Sequence, residues 1–209
     1  LVEVDGLARG METQTARIEE ACRDSGAREL RTARDEAERQ LLWKGRRAAF
    51  GAYGRVSPAY MVMDGVIPRT KLPYVLGRVN EIVATHGLRV GNVFHAGDGN
   101  LHPNILYDPR IPGEEARVMQ AGMEIMKLCA EVGGSISGEH GIGLEKRDFM
   151  PFIFSIADLD FMQRLKRAFN PTGRCNPGKV FPTRKSCGEA GPVAYRPHPI
   201  EEKGLAQRY

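Results

Sequence analysis

The sequence lacks the features of several large protein classes. None of its 209 residues lies in an apolar run approaching the roughly 18 residues that a membrane-spanning helix needs. Aromatic residues make up only 7% of the chain, and its four cysteines form no C-x-x-C pair. Because a chain of this length does not need disulfides to fold, we expect reduced thiols, which favour a cytoplasmic setting. The first residues do not resemble a signal peptide.

Nucleotide-binding and nucleophile motifs are also absent. Gly97 and Gly99 are not followed by the third glycine of a dinucleotide-binding loop. The glycines at 133–138 lack the Lys-Ser/Thr of a P-loop, and no Gly-x-Ser-x-Gly sequence occurs. The net charge of +4 is spread along the chain, which argues against nucleic acid as a partner.

Apolar periodicity predicts an α+β fold. We predict strands at 1–5, 29–32, 59–63, 88–94 and 101–107, and helices at 11–25, 35–50, 70–85, 114–131 and 158–169. The order up to residue 107 is typical of a ferredoxin-like split βαβ domain with one extra helix. We therefore assign residues 1–130 to this ferredoxin-like domain, 131–182 to a helical and loop-rich C-terminal segment, and 183–209 to a flexible tail.

The sharpest motif runs from His95 to His102 and contains Gly97-Asp98-Gly99. The odd spacing of the two histidines would place them on opposite faces of an unbroken strand. The glycines allow the chain to turn so that both imidazoles converge. The alternative is that both are ordinary strand histidines, and that Asp98 and Asn100 only hold a turn.

A second motif, Gly138-Glu139-His140-Gly141, frames an ionisable pair with glycine, which favours function over packing. With His95 and His102, Glu139 completes a two-histidine, one-carboxylate set that leaves positions open on a divalent metal. Zinc, manganese and iron all suit such a set. His140 would then be a titratable base.

A basic helical run, Trp43-Lys44-Gly45-Arg46-Arg47, is a third candidate. An arginine fork is a natural partner for a substrate carboxylate, and Arg46 could supply it. The alternative interpretation of this run is a solvated helix face.

Three stretches resemble one family: HAGDGNLHP, GGSISGEHGIGLEKRDFM and FNPTGRCNPGKVFP. They are similar to the C-terminal half of FAD-linked 2-hydroxy-acid oxidoreductases. That family includes D-lactate dehydrogenases, D-2-hydroxyglutarate dehydrogenase and the flavin subunit of bacterial glycolate oxidase. The stretch from Asp35 to Leu76 is most similar to the glycolate oxidase flavin subunit.

The resemblance implies oxidation of a small 2-hydroxy acid, glycolate or D-lactate, by hydride transfer to FAD. It assigns roles to eight residues: the metal ligands His95, His102 and Glu139, the base His140, the carboxylate-binding Arg46, and the flavin-approaching Asn100, Asn176 and Lys179. Some relatives carry further cationic substrate contacts between the helix that contains Arg46 and the following strand, which here is 60–63. Here that strand has no lysine, which disfavours a larger dicarboxylate such as 2-hydroxyglutarate.

The resemblance also implies partners for this chain. Such enzymes carry an N-terminal FAD-binding domain and then a substrate (cap) domain, to which residues 1–130 would correspond. Leu1 falls within a predicted strand. We therefore expect the chain to be about half of an enzyme and inactive without that domain. Further implied partners are a second flavin-domain-like subunit and an iron–sulfur subunit, which would hold the cytoplasmic protein at the inner membrane.

Two other functions stay open from the residues alone. A metal-dependent hydrolase would use the same ligands, with metal-bound water as nucleophile and no flavin. A non-catalytic docking module would need neither group, and no segment of this chain alone is typical of an FAD cradle. Metal content and a flavin spectrum distinguish the three.

Overall fold

The computed structural model describes residues 1–182, so the predicted tail at 183–209 lies outside the described residues. The chain divides into two compact units, Leu1–His140 and Gly141–Tyr209. This division falls after His140, whereas we place the domain boundary at 130/131, and the two-domain assignment stays a prediction. The combination of helices with small antiparallel sheets confirms the predicted α+β class.

The described elements follow the predicted order closely along most of the chain. The helices of the first unit are α1 (Ala8–Asp24), α2 (Glu36–Tyr53), α3 (Leu72–Thr85) and α4 (Glu114–Glu131). Its strands are β1 (Ala59–Val62), β2 (Gly65–Val66), β3 (Arg89–Asn92), β4 (Asn100–Leu101) and β5 (Pro103–Tyr107). The second unit contains a 3₁₀ segment at Arg147–Phe152 and helix α5 (Ile156–Phe169).

Strand β5 is the centre of a three-stranded sheet with the order β1-β5-β3. Both β1 and β3 pair antiparallel to β5, so they run parallel to each other. Helix α3 lies between β1 and β3 in the sequence, and β5 separates them in the sheet. This arrangement is a split βαβ unit, as predicted. Strands β2 and β4 form a separate two-stranded ladder.

The hydrophobic core lies between this sheet and two helices. Helices α3 and α4 pack against each other, α3 also packs on β3, and α4 also packs on β5. The core-facing side of α3 carries Val75, Val79, Ile82 and Val83, which recur at helical spacing. Gly91 on β3 pairs with Asn104 on β5. The ring of Tyr53, from α2, lies against Gly91 in the space that a Cβ would occupy.

Two of the predicted strands are wrong. The segments 1–5 and 29–32 form no strand, and α1 and α2 bury no residue. Leu1 and Val2 stay 66% and 63% exposed. Residues of both segments instead line a cavity of about 590 Å³ together with residues of α1 and α2. Apolar alternation indicates a strand only where a neighbouring strand offers its edge, and the alternating pattern does not encode that edge.

Several element boundaries also differ from the prediction, and for two of them the reason is identifiable. Helix α5 starts at Ile156, because the Ser155 hydroxyl accepts the Asp158 backbone N–H while the Asp158 carboxylate accepts the Ser155 N–H. The predicted strand at 101–107 is interrupted at His102, because β4 pairs with β2 whereas β5 pairs with β1 and β3.

Within residues 1–182, every helix is too short or too polar to cross a bilayer.

Candidate metal and catalytic site

A tight loop brings the two motif histidines together. The backbones of His95 and Asn100 exchange hydrogen bonds of 2.9 and 3.2 Å, so the chain reverses between them. Strand β4 then ends, and His102 follows at the point where the chain crosses to the other sheet. The ring centroids of His95 and His102 lie 5.6 Å apart. The convergence expected from the glycine-containing insertion is thus present in the structure.

Gly99 is the glycine on which this reversal depends. Its φ is +71°, a conformation that residues with a Cβ rarely adopt. A Cβ at this position would also lie 2.2 Å from the carbonyl oxygen of Ile67, whose own N–H donates to the Gly99 carbonyl at 2.9 Å. The loop is therefore anchored to the segment that follows β2 by a contact that leaves no room for a side chain.

We expect Gly99→Ala to lower the free energy of unfolding by about 1–3 kcal/mol, the usual cost of a strained backbone conformation, with further cost from the displaced Ile67 carbonyl. Urea unfolding followed by circular dichroism measures this difference. The matched control is Gly97→Ala in the same loop, since Gly97 has no positive φ and open space around it. If both variants unfold at the same urea concentration, the reversal of the chain does not depend on Gly99.

Glu139 joins the two histidines in a three-residue cluster. One possible ligand atom from each of His95, His102 and Glu139 lies within 4.8 Å of the other two. Within this cluster, Nε2 of His102 and Oε1 of Glu139 lie 2.9 Å apart. His102 is buried, whereas His95 and Glu139 are exposed, so the cluster opens to solvent on one side. This arrangement suits a cation that is held by protein on one side and by a small ligand on the other.

The buried His102 provides the test of whether a metal fits. Only 3% of this residue is exposed, yet neither ring nitrogen has a hydrogen-bond partner among the described residues. The close approach of Glu139 does not have the geometry of a hydrogen bond. Burial lowers the pKa of His102, against the opposing charges of Glu139 and Asp64, and so favours the neutral imidazole that binds metals. A buried imidazole that has acidic neighbours but no hydrogen bond to either ring nitrogen fits a cation better than it fits a packed core.

His140 lies beside the cluster without belonging to it. Its ring centroid is 4.9 Å from that of His102, and its Nε2 is 3.6 Å from Oε1 of Glu139. The His140 side chain is 45% exposed, so a solvent-borne molecule can reach it. A titratable imidazole next to a candidate metal site is positioned to accept a proton from a group bound there.

One residue of the site, Asp64, does not stand out in the sequence analysis. Asp64 is completely buried, and its carboxylate accepts hydrogen bonds from the segment 137–140, which carries Glu139 and His140. The one available signal was an acidic residue placed directly after the apolar run at 59–63. Such a position is also common in turns, so the pattern alone does not distinguish the two.

Comparison with known proteins now decides the family. Residues 1–180 match the family model described as FAD linked oxidases, C-terminal domain. The chain belongs to the FAD-linked oxidases. The glycolate oxidase subunit GlcD of Escherichia coli K12 is 48% identical over 191 residues, which cover 91% of this chain and 38% of that relative.

Two further relatives of this FAD-linked oxidase chain extend the comparison. The glycolate oxidase subunit GlcD of Bacillus subtilis 168 is 36% identical over 181 residues, covering 87% of this chain and 38% of the relative. A probable mitochondrial D-lactate dehydrogenase of Danio rerio is 32% identical over 183 residues, which cover 86% of this chain and 37% of that relative. The chain thus spans less than half the length of the curated relatives it matches.

The remaining candidates of this FAD-linked oxidase chain lie outside the three-residue cluster. Asn100 is buried, and its Oδ1 lies 2.5 Å from where a Cβ on Gly138 would be, so it packs against the segment that carries Glu139. Arg46 lies on α2 with its guanidinium 5.9 Å from the ring centroid of Phe50. Among the described residues, Arg46 makes no hydrogen bond or ion pair with the cluster.

Asn176 and Lys179 belong to the second unit, where they form a turn of their own. Lys179 donates to the Asn176 side chain at 3.0 Å. The ammonium of Lys166, on α5, donates to the backbone carbonyls of Asn176 and Lys179 at 3.3 and 3.1 Å. This lysine was not singled out from the sequence, because its position at helical spacing is typical of a solvated helix face. The role of this turn towards a flavin stays a prediction.

Proposed function

We propose that this chain forms the substrate- and metal-binding part of an FAD-dependent enzyme that oxidises a small 2-hydroxy acid to the 2-oxo acid. The observation that carries the proposal is the buried His102 in a member of the FAD-linked oxidases. Neither of its ring nitrogens has a hydrogen-bond partner within the described residues, and it is grouped with His95 and Glu139. Relatives whose names specify glycolate and D-lactate support these two acids as candidate substrates.

The chain's own residues would divide the work between binding and proton transfer. His95, His102 and Glu139 would hold a divalent cation, for which zinc, manganese and iron are candidates. Arg46 would bind the substrate carboxylate through its guanidinium, and His140 would accept the hydroxyl proton at an imidazole nitrogen. When bound, the cation would lower the pKa of the substrate hydroxyl, and FAD would accept the α-hydrogen as hydride.

FAD itself would be held mainly by a further domain, with Asn100, Asn176 and Lys179 approaching it from this chain. The Escherichia coli and Bacillus subtilis relatives are both described as subunits, which supports an assembly with other polypeptides. We propose a second flavin-domain-like subunit and an iron–sulfur subunit as those partners. Attachment to the inner membrane would then be peripheral and would depend on them.

The test uses the protein expressed from its complete reading frame. We expect co-purified divalent metal, a flavin absorbance spectrum, and bleaching of that spectrum when glycolate or D-lactate is added without oxygen. Acetate is the matched control, because it has the carboxylate but no hydroxyl to oxidise, and should leave the flavin oxidised. Cleavage of ester or amide substrates by a metal-containing, flavin-free protein would overturn the proposal in favour of a hydrolase.

A further inference from the structure

The carboxylate of Asp64 accepts hydrogen bonds from four donors of the segment 137–140. The Ser137 hydroxyl donates to its carboxylate at 2.8 Å, and the backbone N–H groups of Gly138, Glu139 and His140 donate at 3.1, 3.3 and 3.0 Å. Asp64 itself has no exposed surface. A buried carboxylate therefore lies where three successive backbone donors converge.

Such a set of converging N–H groups is a strong anion-binding arrangement in proteins. Hydrogen bonds to an ionised acceptor are about twice as strong as neutral ones. Without the carboxylate, the segment would lose the shared acceptor for its N–H groups. The conformation of Glu139 and His140 thus depends on one side chain from a distant part of the sequence.

Asp64 also reaches the other half of the site. Its Oδ1 lies 3.8 Å from Nε2 of His102, the same nitrogen that lies 2.9 Å from Glu139. One buried carboxylate therefore contacts both the backbone that carries Glu139 and the buried histidine. A residue that only stabilised the conformation of the loop would need the contacts with the backbone of the segment 137–140 but not the one with His102.

We propose that Asp64 is a positioning residue: through the backbone of the segment 137–140 it holds Glu139 beside His102 in the geometry that binds the cation, and it holds the proposed base His140 next to them. This inference rests on the proposed metal site. Asp64 acts through the backbone of the segment 137–140, and its charge adds to the negative potential at His102. It is neither a ligand nor a proton acceptor in this assignment.

The test is Asp64→Asn in the protein from the complete reading frame, with zinc affinity measured by competition against a chromophoric chelator. We expect zinc to bind about 10–100-fold more weakly, the usual loss when a group that orients metal ligands is changed. In the dye-coupled oxidation assay, kcat should fall by a larger factor than KM changes. The reason is that the variant displaces the proposed base His140 and leaves Arg46 in place.

Asp158→Asn is the matched control, since Asp158 also accepts a serine hydroxyl and a backbone N–H, both from Ser155 at the start of α5. We expect this variant to lower the melting temperature and to leave zinc affinity unchanged. A folded Asp64→Asn protein with wild-type zinc affinity would overturn the inference. If Asp64→Asn does not fold, Ser137→Ala replaces it, and a several-fold loss of zinc affinity is then required.

A double variant separates positioning from general destabilisation. In a Glu139→Gln background, Asp64→Asn should cost much less zinc affinity than it does alone, because the ligand it positions is already lost. Fully additive losses would overturn the inference. Absence of zinc binding by the wild-type protein would instead overturn the proposed metal site, and the inference with it.

Discussion

Glu139→Gln is expected to weaken zinc binding by more than the roughly 10–100-fold that follows loss of an orienting group, because it removes a ligand itself. The amide keeps the size of the side chain but lacks the negative charge that a cation requires. Zinc titration by calorimetry, or competition with a chelator, measures the loss. Flavin content should be unchanged, since the change lies on the metal side of the proposed site.

The chain contains a closely matched control for this variant. Glu124 is 50% exposed and lies 2.9 Å from His86, just as Glu139 is 52% exposed and lies 2.9 Å from His102. The two histidines differ in their surroundings: within the described residues, His102 belongs to a cluster with a third potential ligand and His86 does not. Glu124→Gln should therefore leave zinc affinity unchanged. Equal affinities for the two variants would show that Glu139 is not a ligand.

His140→Gln is expected to lower turnover of glycolate or D-lactate by about 10²–10⁴-fold, the range typical for loss of a general base. Zinc affinity should change little, because His140 lies beside the cluster and is not part of it. Steady-state, dye-coupled oxidation by the protein from the complete reading frame measures the effect. The loss should appear in kcat rather than in KM, since substrate binding is assigned to Arg46 and the metal.

His86→Gln is the control for this second variant, as it changes a histidine that pairs with Glu124 away from the cluster. Wild-type turnover in His140→Gln, with metal and flavin still bound, would contradict the role of the base. The opposite pattern, in which zinc is lost together with turnover, would instead make His140 a ligand.

Local patterns predicted the helices that carry most of the core. Helix α4 occupies 114–131 as predicted, because its apolar residues recur at helical spacing and Gly133 with a positive φ ends it. The split βαβ unit follows from the same reasoning, since α3 must return the chain to the sheet. The edges of the sheet were less predictable. The segments 1–5 and 29–32 have a strand-like pattern, but no neighbouring strand pairs with them in the described residues.

The sequence predicted those site residues that local patterns reveal, and it missed the one whose role depends on distant contacts. His95, His102, Glu139 and His140 stand out because they are ionisable residues framed by glycine, and such residues are rarely needed for packing. Asp64 did not stand out, because its role depends on hydrogen bonds to a segment more than seventy residues away. Long-range contacts of this kind leave no local periodicity.

The sequence by itself determined the types of side chain available to the site, the helical periodicity of the core and, through its motifs, membership of the FAD-linked oxidases. Only the tertiary structure decided that possible ligand atoms of His95, His102 and Glu139 come within 4.8 Å of one another. It also decided that the Asp64 carboxylate accepts hydrogen bonds from the backbone N–H groups of two candidate site residues, Glu139 and His140. Residue type is a local property, whereas distance and burial depend on how separate segments pack together.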